Sequence, residues 1–488
     1  MSTSSSVEIL PYQFARVNRV LVLPHEGELV VAAGAAIWPV TEVNRLNSGK
    51  LKLVKVDDQV FDELLGDLYR NRQHSSEMVM EGIKDFVNLE EAAAELEESA
   101  DLLDSEKDAP IVKLLNAILG EAFKKQSSDI HIEPYEKEAR VRFRLDGVLH
   151  TVLTPSIQIA PLLISRIKVM SKLDIAEKRL PQDGRMSVKL GGRNVDLRVS
   201  TMPSSHGERV VMRLLDKDAE QLQTTDLGMP DSIKTKLDEL INRPHGIILV
   251  TGPTGSGKTT TLYAALQQMD RLERNIMTVE DPVEYDLPGI SQTQINQRAG
   301  MSFALGLRAI LRQDPDVILL GEIRDGETAE VAAQASLTGH LVLSTLHTNT
   351  ASGAITRLED IGVDSFLLAS TIRGIVAQRL VRKLCQHCRE QIEPDAYQCK
   401  LLGLAPTEKI YQARGCEHCN NTGFNGRQAL FELVLIDVEL QTMIHEKVGE
   451  VVLEKAIRTK TPSIREAGFE QVRLGATTIE EVLRVTSV

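Results

Sequence analysis

Aromatic residues are scarce in this chain, at 4% with a single Trp, and no apolar run is long enough to span a bilayer. The longest, LVVAAGAAIWPV from Leu29 to Val40, falls well short of the about 20 residues a spanning helix needs and contains Gly and Pro. Any attachment to a membrane therefore has to come through a partner or a surface. The opening MSTSSSVEIL has neither a basic n-region nor an apolar h-region, so the sequence predicts a chain that stays in the cytoplasm. There is no long basic tract either, and the formal charge is −13. That balance argues against general nucleic-acid binding, while leaving room for a local basic groove. Much of the charge sits in Glu90 to Asp108, where nine acidic residues accompany one Lys, the pattern of a solvated helix or linker between domains.

Cysteine is absent from most of the chain, and all five residues lie between Cys385 and Cys419. CQHC and CEHC, with 27 residues between them, form two C-x₂-C knuckles, so Cys385, Cys388, Cys416 and Cys419 have the spacing of a Cys₄ zinc site in a reducing compartment. A thioredoxin-like redox pair accounts for one knuckle and leaves the second unexplained. Cys399 is off register and reads as an ordinary thiol; His387 and His418 read as polar filler rather than replacement ligands. NTGFNGRQALFE, Asn421 to Glu432, supplies the glycine turns expected after the second knuckle.

What is abundant is glycine in one place. GPTGSGKTT runs Gly252, Pro253, Thr254, Gly255, Ser256, Gly257, Lys258, Thr259, Thr260 and matches G-x-x-x-x-G-K-[ST]. Wrapping a phosphate needs backbone free of Cβ atoms, and the flanks supply the required context: GIILV reads as a buried strand and TTLYAALQQM as a helix. Lys258 is placed for the β- and γ-phosphates and the Thr259 hydroxyl for Mg²⁺. Further apolar runs, RNIMTVED, DVILLGEI and HLVLSTLH, alternate with helical patterns and predict a doubly wound parallel sheet. In such sheets ligands sit beyond the carboxyl ends of the strands, which directs the polar strand endings at the phosphate loop. Those endings carry Glu280, Asp281 and Glu284, then Glu322, then His347; His340, before the last strand, reads rather as a hydrogen-bonded core histidine. Carboxylates there can position Mg²⁺ and orient water. A strand-end Glu is also a common helix cap, and that alternative stays open for each one.

Upstream, IVKLLNAILGEAFKK shows helical spacing, and DIHIEP, ARVRFRLDGVLH and NVDLRVSTMP alternate, predicting a mixed α/β domain with a mostly antiparallel sheet. Val141, Phe143 and Leu145 point one way while Arg140, Arg142 and Arg144 point the other, by default to solvent. Residues 7 to 90 read as a small α/β module with a hairpin turning at Glu26-Gly27 and no catalytic constellation.

GPTGSGKTT, TVEDPVEY, DPDVILLGEIRDGETA, HLVLSTLHTNTA and the tetracysteine segment, in this order, resemble the secretion ATPases of type II secretion and type IV pilus systems over roughly residues 105 to 488. LPYQFARVNRVLVL is similar to the start of the type II secretion branch. The resemblance implies a RecA-like P-loop NTPase domain preceded by a mixed α/β, PAS-like domain and a small N-terminal α/β domain, with a Cys₄ zinc insertion. Its boundaries are residues 1–90 for partner docking, 91–108 for the acidic linker and 109–225 for the domain flanking the nucleotide. They continue with 226–384 for the ATPase domain, 385–419 for the zinc insertion and 420–488 for a C-terminal helical part. It further implies ATP, Mg²⁺ and Zn²⁺ as cofactors, and arginines completing the site from the preceding domain or a neighbouring subunit: Arg198 and Arg213, with Arg308, Arg312 and Arg324 in the P-loop domain. The implied partners are five further copies in a homo-hexamer, the cytoplasmic domain of an inner-membrane secretion protein bound through the N-terminal module, and an inner-membrane platform protein. The implied location is cytoplasmic, peripherally attached to the inner membrane. No nucleic acid is expected as a partner. The alternatives are a pilus extension ATPase and, from another class, a RecA-like nucleic-acid motor.

Overall fold

The computed structural model describes residues 108–190, 193–216, 223–296, 299–405 and 407–487, with shorter runs between 10 and 64. Residues 90–107 of the acidic stretch lie outside the described residues, as does the Glu26-Gly27 hairpin tip. The chain divides into two compact units, residues 1–145 with 149–216, and residues 146–148 with 217–488.

The first unit begins with a three-stranded sheet in which β1 (Val20–Leu23) pairs antiparallel with β2 (Glu28–Ala32), and β2 pairs parallel with β3 (Lys52–Val56). The helix α1 (Ile37–Leu46) makes the parallel crossover. The run Leu29 to Val40 is thus shared between a strand and a helix. After α2 (Asp108–Lys124) come β4 (Asp129–Pro134), β5 (Ala139–Leu145) and β6 (Val148–Leu153), then α3 (Ile159–Met170), β7 (Gln182–Leu190), β8 (Arg193–Ser204) and β9 (Gly207–Asp216). The sheet runs β6-β5-β4-β9-β8-β7. One face is apolar, with Ile130, Ile132, Val141, Phe143, Leu197, Val199, Val210 and Met212 packed beneath α2 and α3. The alternation of period 2 and the helical spacing of α2 both express that single buried face.

The second unit is a seven-stranded sheet between helices. Its elements begin with α4 (Asp231–Ile241), β10 (Gly246–Thr251), α5 (Lys258–Gln268), β11 (Ile276–Glu280) and β12 (Ser291–Gln294). They continue through α6 (Phe303–Ile310), β13 (Val317–Leu320), α7 (Gly326–Leu337), β14 (Leu341–Leu346), α8 (Ala351–Asp360), α9 (Ser365–Thr371) and β15 (Ile372–Leu384). The tetracysteine lobe contributes β16 (Glu390–Ile392), α10 (Ala396–Leu402) and β17 (Ile410–Gln412); then follow β18 (Phe424–Leu435), α11 (Val438–His445), α12 (Glu450–Arg458), α13 (Ile464–Arg473) and α14 (Ile479–Thr486). The strand order is β12-β11-β13-β14-β10-β15-β18, parallel except for β18. Burial on both faces explains the unbroken apolar strands. Ile247, Leu249, Ile318, Leu320 and Val342 enter one core, and their neighbours Ile248, Val250, Val317, Leu319, Leu341 and Leu343 enter the other.

Residues 420–488 were expected to be helical, and this is corrected: they open with the twelve-residue β18, which pairs along almost all of β15. The lobe between Cys385 and Cys419 is an insertion at the tip of that hairpin. Among the described residues, no helix is long and apolar enough to cross a membrane.

Candidate nucleotide site and metal centre

The phosphate loop begins where β10 ends at Thr251 and closes where α5 begins at Lys258. Its shape requires glycine at both ends. A Cβ at Gly252 would stand 2.5 Å from the Gln378 carbonyl oxygen, and Gly257, the helix N-cap, has φ +86° with a hypothetical Cβ 2.9 Å from Gln378 Nε2. The first-turn N–H groups of α5 have no intrahelical acceptors, so they and the helix dipole face the loop. Lys258 Nζ donates to the carbonyls of Gly252 (2.8 Å) and Pro253 (3.1 Å). Burial pushes this ammonium down to about 8, Glu322 opposing the fall and Arg379 adding to it.

Glu322 follows β13 and is 12% exposed at its side chain. One oxygen pairs with Arg324, and the other lies 3.2 Å from His347 Nε2, at the end of β14. Because β14 is the parallel neighbour of both β10 and β13, its end is tied to each. Thr345 Oγ1 donates to the Gly321 carbonyl (2.7 Å), and the Thr251 and Thr348 hydroxyls lie 2.6 Å apart. The carboxyl ends of three neighbouring strands therefore bring Lys258, Glu322 and His347 together. His340, at the opposite end of β14, hydrogen-bonds the Ala335 carbonyl through Nδ1 (2.8 Å), a local helix-end contact.

The acidic pair after β11 separates. Glu280 is 3% exposed. One of its oxygens accepts from Thr278 Oγ1 (2.5 Å) and Gln292 Nε2 (3.2 Å), and the other from the Tyr263 hydroxyl. Burial first, and then this hydrogen bond, raises the Tyr263 pKa, so the phenol keeps its proton and donates it. Glu280 is thus occupied inside the core, whereas Glu284 is exposed on the following loop, its N–H 3.4 Å from the Tyr263 hydroxyl. Arg324 stays beside Glu322, while Arg308 is paired with Glu327 (2.6 Å) and Arg312 donates to the Arg308 carbonyl (2.9 Å).

In the first unit, the polar face of the sheet carries a row across five strands. Arg144, Asp129, Arg213, Arg198 and Arg185 are successive register partners. Asp129 Oδ1 accepts from Arg213 Nε at 3.0 Å, leaving Arg213 59% exposed. Glu133 pairs with both Arg142 (2.6 Å) and Arg209, which hold its carboxyl below the ordinary range against the desolvation that raises it. Arg142 and Arg144 are therefore more than a solvent face, because they neutralise buried carboxylates on β4. Arg185 belongs to the same row and was missed, since only the strand register reveals it.

The cysteines of the two knuckles converge. Their sulfurs all lie within 4.8 Å of one another, with Cys385–Cys416 at 3.9 Å, Cys388–Cys419 at 3.8 Å and Cys416–Cys419 at 3.8 Å. A tetrahedral zinc about 2.3 Å from each sulfur requires edges of about 3.8 Å, so the donor set fits the ion. Backbone N–H groups of Cys416 and Gly423 point at Cys419 Sγ (3.2 Å each) and lower its pKa despite burial, whereas burial and the neighbouring sulfurs push the Cys388 thiol up, so the first thiolate of the cluster forms at Cys419. His387 and His418 stack on each other at 4.2 Å, and Cys399 contacts the Pro394 carbonyl away from the cluster.

With this geometry in view, residues 104–484 match the family model described as type II/IV secretion system protein. The chain belongs to that family. Residues 9–69 match a second model, described as a domain of GSPII protein E. The type II secretion system ATPase E of Vibrio cholerae serotype O1 is 53% identical, the match covering 99% of this chain and 97% of that protein. The type II secretion system protein E of Dickeya dadantii is 52% identical over 98% of this chain and 97% of its own length. Among solved structures, the pilus retraction motor PilT with bound ADP is 27% identical with a TM-score of 0.51, covering 76% of this chain and 96% of PilT. Legionella pneumophila ATPase DotB shares the fold at 20% identity and a TM-score of 0.57, over 76% of this chain and 95% of its own.

Proposed function

We propose that the chain is the ATP-hydrolysing cytoplasmic motor of a type II secretion system, coupling hydrolysis to pseudopilus assembly and export of folded proteins across the outer membrane. The observation that carries this is the convergence of the phosphate loop, Glu322 and His347 at the carboxyl ends of β10, β13 and β14 in a chain half identical to a protein named as a secretion ATPase. Residues 252–260 hold the phosphates. Lys258 neutralises the β- and γ-phosphates, exchanging its two carbonyl acceptors for them. Thr259 and Glu322 would hold Mg²⁺, which when bound withdraws charge from the phosphate oxygens. Glu284 orients the attacking water, because Glu280 has its acceptors filled by Tyr263, Thr278 and Gln292. His347 reads the γ-phosphate from the far side of Glu322.

Arg213 and Arg198 offer cations to the transferred phosphoryl group on closure, within a homo-hexamer. Residues 1–90 dock on the cytoplasmic domain of an inner-membrane partner, with residues 91–108 as the linker, and an inner-membrane platform protein completes the assembly. Cys385, Cys388, Cys416 and Cys419 bind one structural Zn²⁺. Lys258→Ala should abolish phosphate release and nucleotide binding, while Glu322→Ala should keep binding and lose turnover. Near-normal phosphate release from both variants would refute the assignment.

A further inference from the structure

The strand β15 carries two consecutive buried polar residues that the nucleotide chemistry leaves unused, Gln378 at 1% exposure and Arg379 at 6%. Neither belongs to a motif visible in the sequence. Thr251, the last residue of β10, pairs with Ala377, so Gln378 stands one step beyond, beside the phosphate loop. Its amide is used at both ends. Nε2 donates to the Ser256 carbonyl (2.9 Å), inside the loop, and Oε1 accepts from Thr261 Oγ1 (2.7 Å), in the first turn of α5. The glycines at 252 and 257 are the positions where a side chain would collide with this residue, so the loop is moulded around it.

Arg379 reaches the other way. Nη2 donates to both the carbonyl (2.9 Å) and the Oδ1 (3.0 Å) of Asn349, two residues beyond His347. Nη1 donates to the Gln378 carbonyl (3.1 Å), and Nε to the Val485 carbonyl (3.1 Å) near the end of α14. All of these acceptors are neutral. Burying a guanidinium among neutral acceptors is costly, and an apolar residue would pack a β-strand core more cheaply. What the arginine supplies instead is a planar fork joining three separate segments at one point.

We propose that Gln378 and Arg379 are positioning residues of the nucleotide site, Gln378 holding the phosphate loop in its binding shape and Arg379 holding the loop that carries His347 against the C-terminal helix. The proposal rests on the assignment of residues 252–260 as the nucleotide site. The two residues act on different segments, so their removal should separate affinity from turnover. Gln378→Ala leaves a loop carbonyl and a helix hydroxyl without partners and should weaken nucleotide binding and raise KM about tenfold, with kcat changed less than about threefold. Arg379→Lys keeps the charge but cannot span Asn349, Gln378 and Val485 together; it should leave nucleotide affinity within about twofold and lower kcat at least about tenfold.

The test measures binding of a fluorescent ADP analogue, steady-state phosphate release and thermal melting on the full chain for both variants. Thr261→Val should reproduce part of the Gln378→Ala effect, and the double variant should show less than the sum of the two. Asn349→Ala removes one acceptor while leaving Arg379 in place, and should lower kcat in the same direction as Arg379→Lys. The proposal falls if Gln378→Ala binds and turns over nucleotide like the parent, if Arg379→Lys and Asn349→Ala retain parental kcat, or if the variants change the melting temperature alone. Lys258→Ala in parallel separates the two levels. If it binds nucleotide like the parent, the phosphate-loop assignment itself fails. If it loses binding while Gln378→Ala does not weaken, only the positioning roles are refuted.

Discussion

Glu280 and Glu284 are four residues apart in one acidic segment, and the structure assigns them opposite consequences on replacement. In Glu280→Gln, the three hydrogen bonds that converge on a buried carboxylate become bonds to a neutral amide. The amide nitrogen now faces the Tyr263 hydroxyl, which itself lies 3.2 Å from Gln292 Nε2, so one donor loses its acceptor. Charge-assisted hydrogen bonds contribute roughly twice what neutral ones do, and a stranded buried donor costs about 1–3 kcal/mol. The loss should be about 2–4 kcal/mol. For a unit of this size each kcal/mol moves the melting temperature by about 2–4 °C, so a fall of roughly 5–15 °C is expected. Assayed well below that transition, turnover should stay within about tenfold of the parent. Glu284→Gln, at an exposed loop position, should shift stability by less than about 0.5 kcal/mol and lower kcat at least about 100-fold. Differential scanning fluorimetry and phosphate release on the same preparations decide it. A Glu280→Gln chain with parental melting and no turnover, beside an active Glu284→Gln chain, would refute the division of roles.

Lys258 makes a pH prediction. Burial lowers its pKa to about 8, and bound phosphates favour the charged form, so binding takes up a proton above that value. Affinity for ADP should be flat below about pH 8 and decline as pH rises further; fluorescent-nucleotide titrations from about pH 7 to 10 check it, and an affinity that stays level across that range would refute it. Elemental analysis should find about one zinc per chain, and Cys416→Ser should lower it and destabilise the lobe; metal-free protein with disulfides would overturn the zinc assignment. If Arg198 or Arg213 acts between subunits, specific activity should fall on dilution, and a fully active dilute monomer would exclude that role. Deleting residues 1–90 should abolish recruitment to partner-containing membranes while leaving zinc content intact, and co-sedimentation of the truncated chain would contradict this.

How far the sequence carried depended on whether a strand's character was local. The runs GIILV, RNIMTVED, DVILLGEI and HLVLSTLH became β10, β11, β13 and β14, because strands buried on both faces announce themselves as unbroken apolar runs. Ser291–Gln294 is a strand only because β11 offers it a partner, and nothing in SQTQ says so. The long β15 hides behind Gln378, Arg379 and Arg382, charged or polar positions whose partners lie in distant segments. The candidate site was legible where chemistry and local geometry share one segment, as in GPTGSGKTT and the two knuckles. It was illegible where the role depends on register: the sequence could not separate Glu280 from Glu284, nor align Arg185 with Arg198 and Arg213.

The ends of the seven-stranded sheet bear on how copies of this chain meet. One end is β12, four residues long and entirely polar. The other is β18, whose Ala429–Val434 stretch is buried, with Leu430 packed in a cluster with Phe469 of α13, and Leu433 in one with Leu237 of α4. A long, bare apolar strand at either end would template sheet-to-sheet pairing between molecules. Here one end is too short and hydrophilic to recruit a neighbour, and the other already lies under helices. If copies of this chain assemble, they would therefore meet through side chains rather than by fusing their sheets into one continuous ladder.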